Sequence, residues 1–132
     1  MSESERRAMV RGQIEARGIR DPAVLRAMRE VPREAFVPPD QAEFAYQDSP
    51  LPIAEGQTIS QPYIVGLMAA ALELELGDRV LEIGTGSGYA AAVLSRMAHE
   101  VYTIERHEAL AEGAGRALES LGYDNVHVLH AD

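Results

Sequence analysis

A chain of 132 residues, 46% of them hydrophobic, is long enough for one packed domain. Its formal net charge of -9, with every one of its twelve basic residues an arginine, argues against nucleic acid or an anionic membrane surface as the main partner, since both require basic patches. The absence of cysteine excludes disulfides, zinc-thiolate centres and thiol catalysis.

The opening segment, MSESERRAMVRGQIEARG, is charged throughout and lacks the apolar stretch of a signal peptide. No apolar run approaches the roughly 18 residues that span a bilayer, so a cytoplasmic location is expected. Met9, Val10, Gln13 and Ile14 recur at helical spacing, and Gly18 marks a stop. Asp21 followed by Pro22 reads as an N-cap and first helical position. Val24, Leu25, Met28 and Val31 then form one apolar face, and Pro32 ends the helix. From about 32 to 60 the prolines are too frequent for a helix or a central strand, which leaves a long irregular segment.

A helix is predicted over 61–74. A turn at Gly77-Asp78 precedes a short strand over 79–83, a glycine loop over 84–88 and a helix over 89–97. A second strand is expected over 100–104. A helix over 107–121 follows, with Leu110, Ala114, Ala117, Leu118 and Leu121 inward and Gly122 at its C′ position, and then a third strand over 125–130. Strand, helix, strand, helix, strand implies a parallel sheet with helical crossovers, an α/β fold. Residues 1–75 form a mainly helical lead-in that must pack on that sheet, and 76–132 form a partial α/β domain.

VLEIGTGSGY, Val80 to Tyr89, carries the strongest chemical signal. Gly84, Gly86 and Gly88 permit a sharp strand-to-helix turn and a close approach of a ligand to the main chain. Glu105, 21 residues after Gly84, ends the next strand, where a carboxylate can accept both hydroxyls of a ribose. A nucleoside-containing cofactor at the carboxyl ends of the strands is the expectation. The dinucleotide pattern G-x-G-x-x-G would place glycine at position 89, which is Tyr89. The spacing G-x-G-x-G after a strand bearing Glu82 resembles motif I of the methyltransferases and favours S-adenosyl-L-methionine over NAD.

Three further segments narrow the resemblance: REVPREAFVP (29–38), YQDSPLPIAEGQTISQPYIV (46–65) and VYTIERHEALAEGA (101–114). With motif I they resemble the protein-L-isoaspartate O-methyltransferase family along essentially the whole chain. The resemblance implies a Rossmann-like methyltransferase fold and methylation of the carboxyl of L-isoaspartyl residues in damaged proteins, a protein-repair reaction with isoaspartyl proteins and peptides as partners. It maps the catalytic hydroxyl onto Ser60 and a shared substrate wall onto Thr58 and Ile59. Cofactor contacts map onto Ile59, Glu82, Gly84, Thr85, Gly86, Ser87, Gly88, Glu105, Arg106 and Asp132. No metal is implied.

Plainer readings stand beside these. Ser60 could serve only as the cap of the following helix, Thr58 as a turn former, and Glu82 as a stabiliser of the next helix's N-terminus. Arg106 could be merely solvated. Tyr63 replaces a histidine of some relatives. His127 and His130, three residues apart, fall on opposite faces of a strand, and His99 and His107 read as surface or turn residues. Asp48 reads as structural.

The resemblance implies that family members continue past Asp132, so three strands of a normally seven-stranded sheet and an incomplete fold are expected. The strand over 79–83 would lose a neighbour, and self-association through an exposed sheet edge follows. The rival readings are a non-catalytic cofactor-binding or interaction module and a fragment of an NAD-dependent oxidoreductase.

Overall fold

The computed structural model describes residues 2–132. The chain opens with α1 (Ser2–Met9), which widens into a π-type turn at Val10–Ile14 and tightens at Glu15–Arg17. Gly18, at φ 101°, ends it in the left-handed region that glycine occupies without a Cβ clash. Helix α2 (Pro22–Glu30) starts as its sequence predicts: the Asp21 carboxylate accepts the Ala23 amide at 2.9 Å. It ends where Pro32 forces Val31 into an extended conformation.

The proline-rich segment is irregular but ordered by short 3₁₀ turns at Arg33–Phe36, Pro39–Phe44 and Ala54–Gly56. A two-residue antiparallel ladder joins β1 (Leu51–Pro52) to β2 (Thr58–Ile59). The Tyr46 hydroxyl organises its first half. It accepts from the Arg33 amide at 3.1 Å and from Arg6 Nη1 at 3.3 Å, and it donates to Glu34. Burial, together with the Glu34 carboxylate, pushes the Tyr46 pKa upward.

Helix α3 (Pro62–Ala71) is shorter than its pattern predicts, because Glu73 turns into the left-handed region at φ 51°. Its apolar residues lie all round the helix, so periodicity could not select the inward face. The structure buries Val65, Gly66 and Ala69 and leaves Leu67, Met68 and Leu72 exposed. Gly66 is the crossing point: a Cβ there would stand 3.1 Å from Met28 Sδ and 3.3 Å from Ile14 Cγ2.

The remainder is β3 (Arg79–Ile83), α4 (Tyr89–Ser95), β4 (Glu100–Glu105), α5 (Glu108–Ser120) and β5 (Val126–His130). The three strands form a parallel sheet in the order β3-β4-β5, with Val80 beside Val101 and Val101 beside Val126. Both crossover helices contact the sheet. Val80, Val101 and Thr103 are buried, whereas Leu81 and Ile83 are 62% and 74% exposed, and Tyr102 and Leu129 share that bare face. Strand β3 is an edge, as expected. Leu110, Ala111, Ala114 and Leu118 are the buried residues of α5, with Ala117 and Leu121 half-buried. Gly122, at φ 77°, closes α5, and the Tyr123 amide returns to the Leu118 carbonyl. One core runs through both halves of the chain, from Met9, Ile14 and Met28 to Val93, Val101 and Leu118. Each of its fully buried aliphatic side chains stabilises the fold by roughly 1.5–3 kcal/mol.

Candidate functional site

Strand β3 runs straight into the glycine loop. Gly84, Gly86 and Gly88 all have positive φ, at 92°, 55° and 94°, a backbone path that L side chains resist. The Gly84 amide, and then the Thr85 amide, donate to the Ile104 carbonyl, which holds the loop against β4. Gly84 opens on free space, with nothing within 4 Å of an added Cβ. Gly88 differs. Its Cβ would lie 3.1 Å from the Ala114 Cβ, so this glycine lets α5 pack against the start of α4 and faces away from the cavities.

Glu105 is buried at 5% exposure, and both its oxygens are engaged. Oε1 accepts the Gly86 amide at 2.8 Å and Oε2 the His107 amide at 3.0 Å. Burial pushes its pKa up, but these backbone donors and the neighbouring His107 outweigh that, and the carboxyl is held below the usual glutamate range. A carboxylate offers about four lone-pair positions, so acceptor capacity is left for ligand hydroxyls. Glu105 therefore shapes the loop and also presents charge beside it.

Glu82 sits one strand away with the opposite electrostatics. Burial raises its pKa to about 7, a rise that the Thr103 hydrogen bond opposes and the Glu105 charge reinforces. Thr103 donates to Glu82 at 2.6 Å, and the Thr85 and Thr103 hydroxyls lie 2.6 Å apart. With Glu82 ionised, Thr85 must be the donor to Thr103, which ties the loop to the sheet. The carboxylate read as a stabiliser of the next helix's N-terminus thus has its hydrogen-bond partner in the sheet. Thr103 escaped the sequence analysis; a threonine in the apolar run VYTI was its only signal.

Two cavities meet over Ile83 and Gly84. The first, about 450 Å³, is lined by Thr58, Ile59, Ser60, Glu82 and the Gly84–Ser87 stretch among others. The second, about 380 Å³, is lined by Gln57, Glu105, Arg106, His107 and Asp132 among others. The sequence-predicted residues thus divide between two ends of one trough, Gly88 excepted. Ser60 is exposed and precedes α3, yet the cap position is Gln61, and no side chain caps that helix. The cap-only reading of Ser60 is therefore corrected. Thr58 is paired with Pro52 in the β1-β2 ladder and does not form a turn.

The other polar candidates have local partners. Asp48 accepts from Gln61 Nε2 at 3.0 Å and lies 3.7 Å from Arg17. Tyr63 lies under the Arg17 guanidinium at 3.7 Å and lines neither cavity. Exposed Arg106 lines the second cavity and lends its carbonyl to His130. His127 meets Glu100 and stacks on Tyr102. His99 is exposed, and His107 occupies the N-cap position of α5 with its ring near Glu55.

A parallel strand-helix-strand-helix-strand unit with a G-x-G-x-G turn after its first strand and a buried carboxylate ending its second defines the Rossmann-like fold of the S-adenosylmethionine-dependent methyltransferases. Within that class the chain belongs to the family described as protein-L-isoaspartate(D-aspartate) O-methyltransferase, whose profile matches residues 4–132. Protein-L-isoaspartate O-methyltransferase 2 of Pelobacter propionicus is 65% identical over 130 residues, covering 98% of this chain and 58% of that protein. The chain thus spans little more than half the length of such relatives. A solved protein-L-isoaspartate O-methyltransferase superimposes with a TM-score of 0.81 at 32% identity, covering 100% of this chain and 42% of the other. A putative enzyme of the same kind from Plasmodium falciparum, solved with S-adenosyl-L-homocysteine, gives 0.81 at 26% identity, covering 96% of this chain and 62% of its own.

Proposed function

We propose that this chain binds S-adenosyl-L-methionine and supports methylation of the carboxyl of L-isoaspartyl residues in damaged proteins. The observation that carries the reading is the trough itself. A wall of Thr58, Ile59 and Ser60 faces the glycine loop at one end, and a low-pKa carboxylate, Glu105, stands at the other. The residues fit the cofactor: the open side of Gly84 admits a ligand to the main chain, and Glu105 keeps free lone pairs for ribose hydroxyls. Arg106 and Asp132 extend that end toward a base, while Glu82, Thr85, Gly86 and Ser87 face the methionine end. Tyr89, in place of a third dinucleotide glycine, is fully packed, which disfavours NAD. The 1–75 segment supplies the substrate wall and 76–132 the cofactor loop.

When bound, the cofactor supplies an electrophilic sulfonium methyl. The substrate carboxylate, with an ordinary pKa near ~3.9, is already ionised at neutral pH and needs no general base. The protein's task is alignment, which can lower a barrier by on the order of 7–11 kcal/mol. Ser60 Oγ, exposed and free of any helix cap, donates a hydrogen bond that orients the attacking carboxylate, and Thr58 and Ile59 hold its flank. The net charge of -9 supports a protein substrate over a nucleic acid. The bare β3 edge supports self-association.

Transfer of labelled methyl to an isoaspartyl peptide, with the aspartyl isomer as control, tests the reading. Ser60→Ala is expected to slow transfer while leaving the melting temperature unchanged. A normal rate in that variant removes the catalytic assignment, and cofactor binding without transfer in the wild type favours the non-catalytic module.

A further inference from the structure

We infer that Arg33 is a positioning residue that fixes the Ser60 wall against the glycine-loop helix. The inference rests on the proposed role of Ser60 but is carried by its own geometry. Arg33 is completely buried. Among the described residues its side-chain partners are main-chain carbonyls and an aromatic ring, with no carboxylate. Nε donates to the Ala45 carbonyl at 2.6 Å and Nη2 to the Ser60 carbonyl at 2.9 Å. The guanidinium lies over the Tyr89 ring at 4.8 Å from its centroid. Tyr89 is the first residue of α4, directly after Gly88, and Phe36 closes on it edge to face. One side chain therefore bridges the proline-rich segment, the end of β2 and the start of the helix that the glycine loop feeds.

Burying a cation against neutral partners is costly, and a core hydrophobe would satisfy packing more cheaply. The planar fork gives what a hydrophobe cannot: hydrogen bonds in fixed directions to two separate strands of chain and a flat face for the ring. Because the Ser60 carbonyl is held, the direction of the Ser60 side chain is set by Arg33 relative to the loop. Lysine keeps the charge but can satisfy only part of this geometry, and methionine keeps only the volume.

The test uses the whole chain with Arg33→Lys and Arg33→Met. Amide exchange by NMR would report Ile59, paired with Leu51 in the β1-β2 ladder and directly before Ser60 in the chain, against Val101 and Thr103 in the sheet. Protection at Ile59 should fall selectively in Arg33→Met by on the order of tenfold or more, the effect of losing a hydrogen bond to a charged donor. Arg33→Lys should restore part of it, and the Ser60 carbonyl carbon resonance should shift in the same rank order. Equal loss of protection at Ile59 and in the sheet would overturn the inference, because Arg33 would then only stabilise the fold. An unchanged Ser60 carbonyl resonance would overturn it too. These readouts need no turnover. A wild type without methyl transfer thus counts against the proposed function, while the exchange pattern alone decides the clamp.

Discussion

Removing the Glu105 side chain should damage the loop before it damages the ligand site. Glu105→Ala strips acceptors from two amides, Gly86 at 2.8 Å and His107 at 3.0 Å, in a place where the carboxylate is buried. Each stranded buried donor costs about 1–3 kcal/mol, so the fold should lose roughly 2–6 kcal/mol, nearer the lower end where water enters from the second cavity. Glu105→Gln keeps one acceptor and should lose less. The wild-type contribution is pH-dependent, and its sign follows from the lowered folded-state pKa. It is present above the ordinary glutamate pKa and is lost as pH falls through the depressed folded value. Urea melts of wild type and Glu105→Gln in neutral and acidic buffer would show the two curves converging in acid. Calorimetry with S-adenosyl-L-homocysteine reads the other half. Glu105→Gln, folded but with an amide where the ribose acceptor stood, should bind on the order of tenfold more weakly. Unchanged affinity in a folded variant would refute the ribose assignment, and a stability gap that persists undiminished in acid would refute the linkage.

Glu82, with its pKa raised to about 7, acts in the opposite sense: stability falls as pH climbs from the ordinary glutamate range to about 7. Glu82→Gln should therefore be close to neutral near pH ~4 and stabilising by up to roughly 3 kcal/mol near pH ~8, and equal effects in denaturant melts at both would count against the shift. Gly88→Ala forces a left-handed alanine into Ala114 and should cost roughly 2–5 kcal/mol of stability. Gly84→Ala meets no neighbour and should cost only about 1–2 kcal/mol while weakening cofactor binding more. Melts paired with calorimetry would expose any reversal of that order. Light scattering should show mass rising with concentration, and Leu81→Lys on the exposed edge should suppress the rise; a wild type that stays monomeric at high concentration would remove the edge-pairing proposal.

Much of the site was legible in the sequence because its determinants are local. Three alternating glycines mark a backbone that must adopt positive φ, and the acid one strand later must stand beside it in a parallel sheet, since Ile83 and Ile104 are register partners. Asp21 as a cap and Gly122 as a stop needed nothing beyond their neighbours. Tertiary structure decided what depends on distant chain. Arg33 meets carbonyls 12 and 27 residues away, and no pattern reports a side chain bonded to main-chain groups, which every residue carries. The α3 face could not be chosen while all its faces were apolar; the selection came from Gly66 crossing Ile14 and Met28. Gly88 shares the motif of Gly84, yet α5 fills its open side, because what a glycine makes room for is set by whatever packs against it.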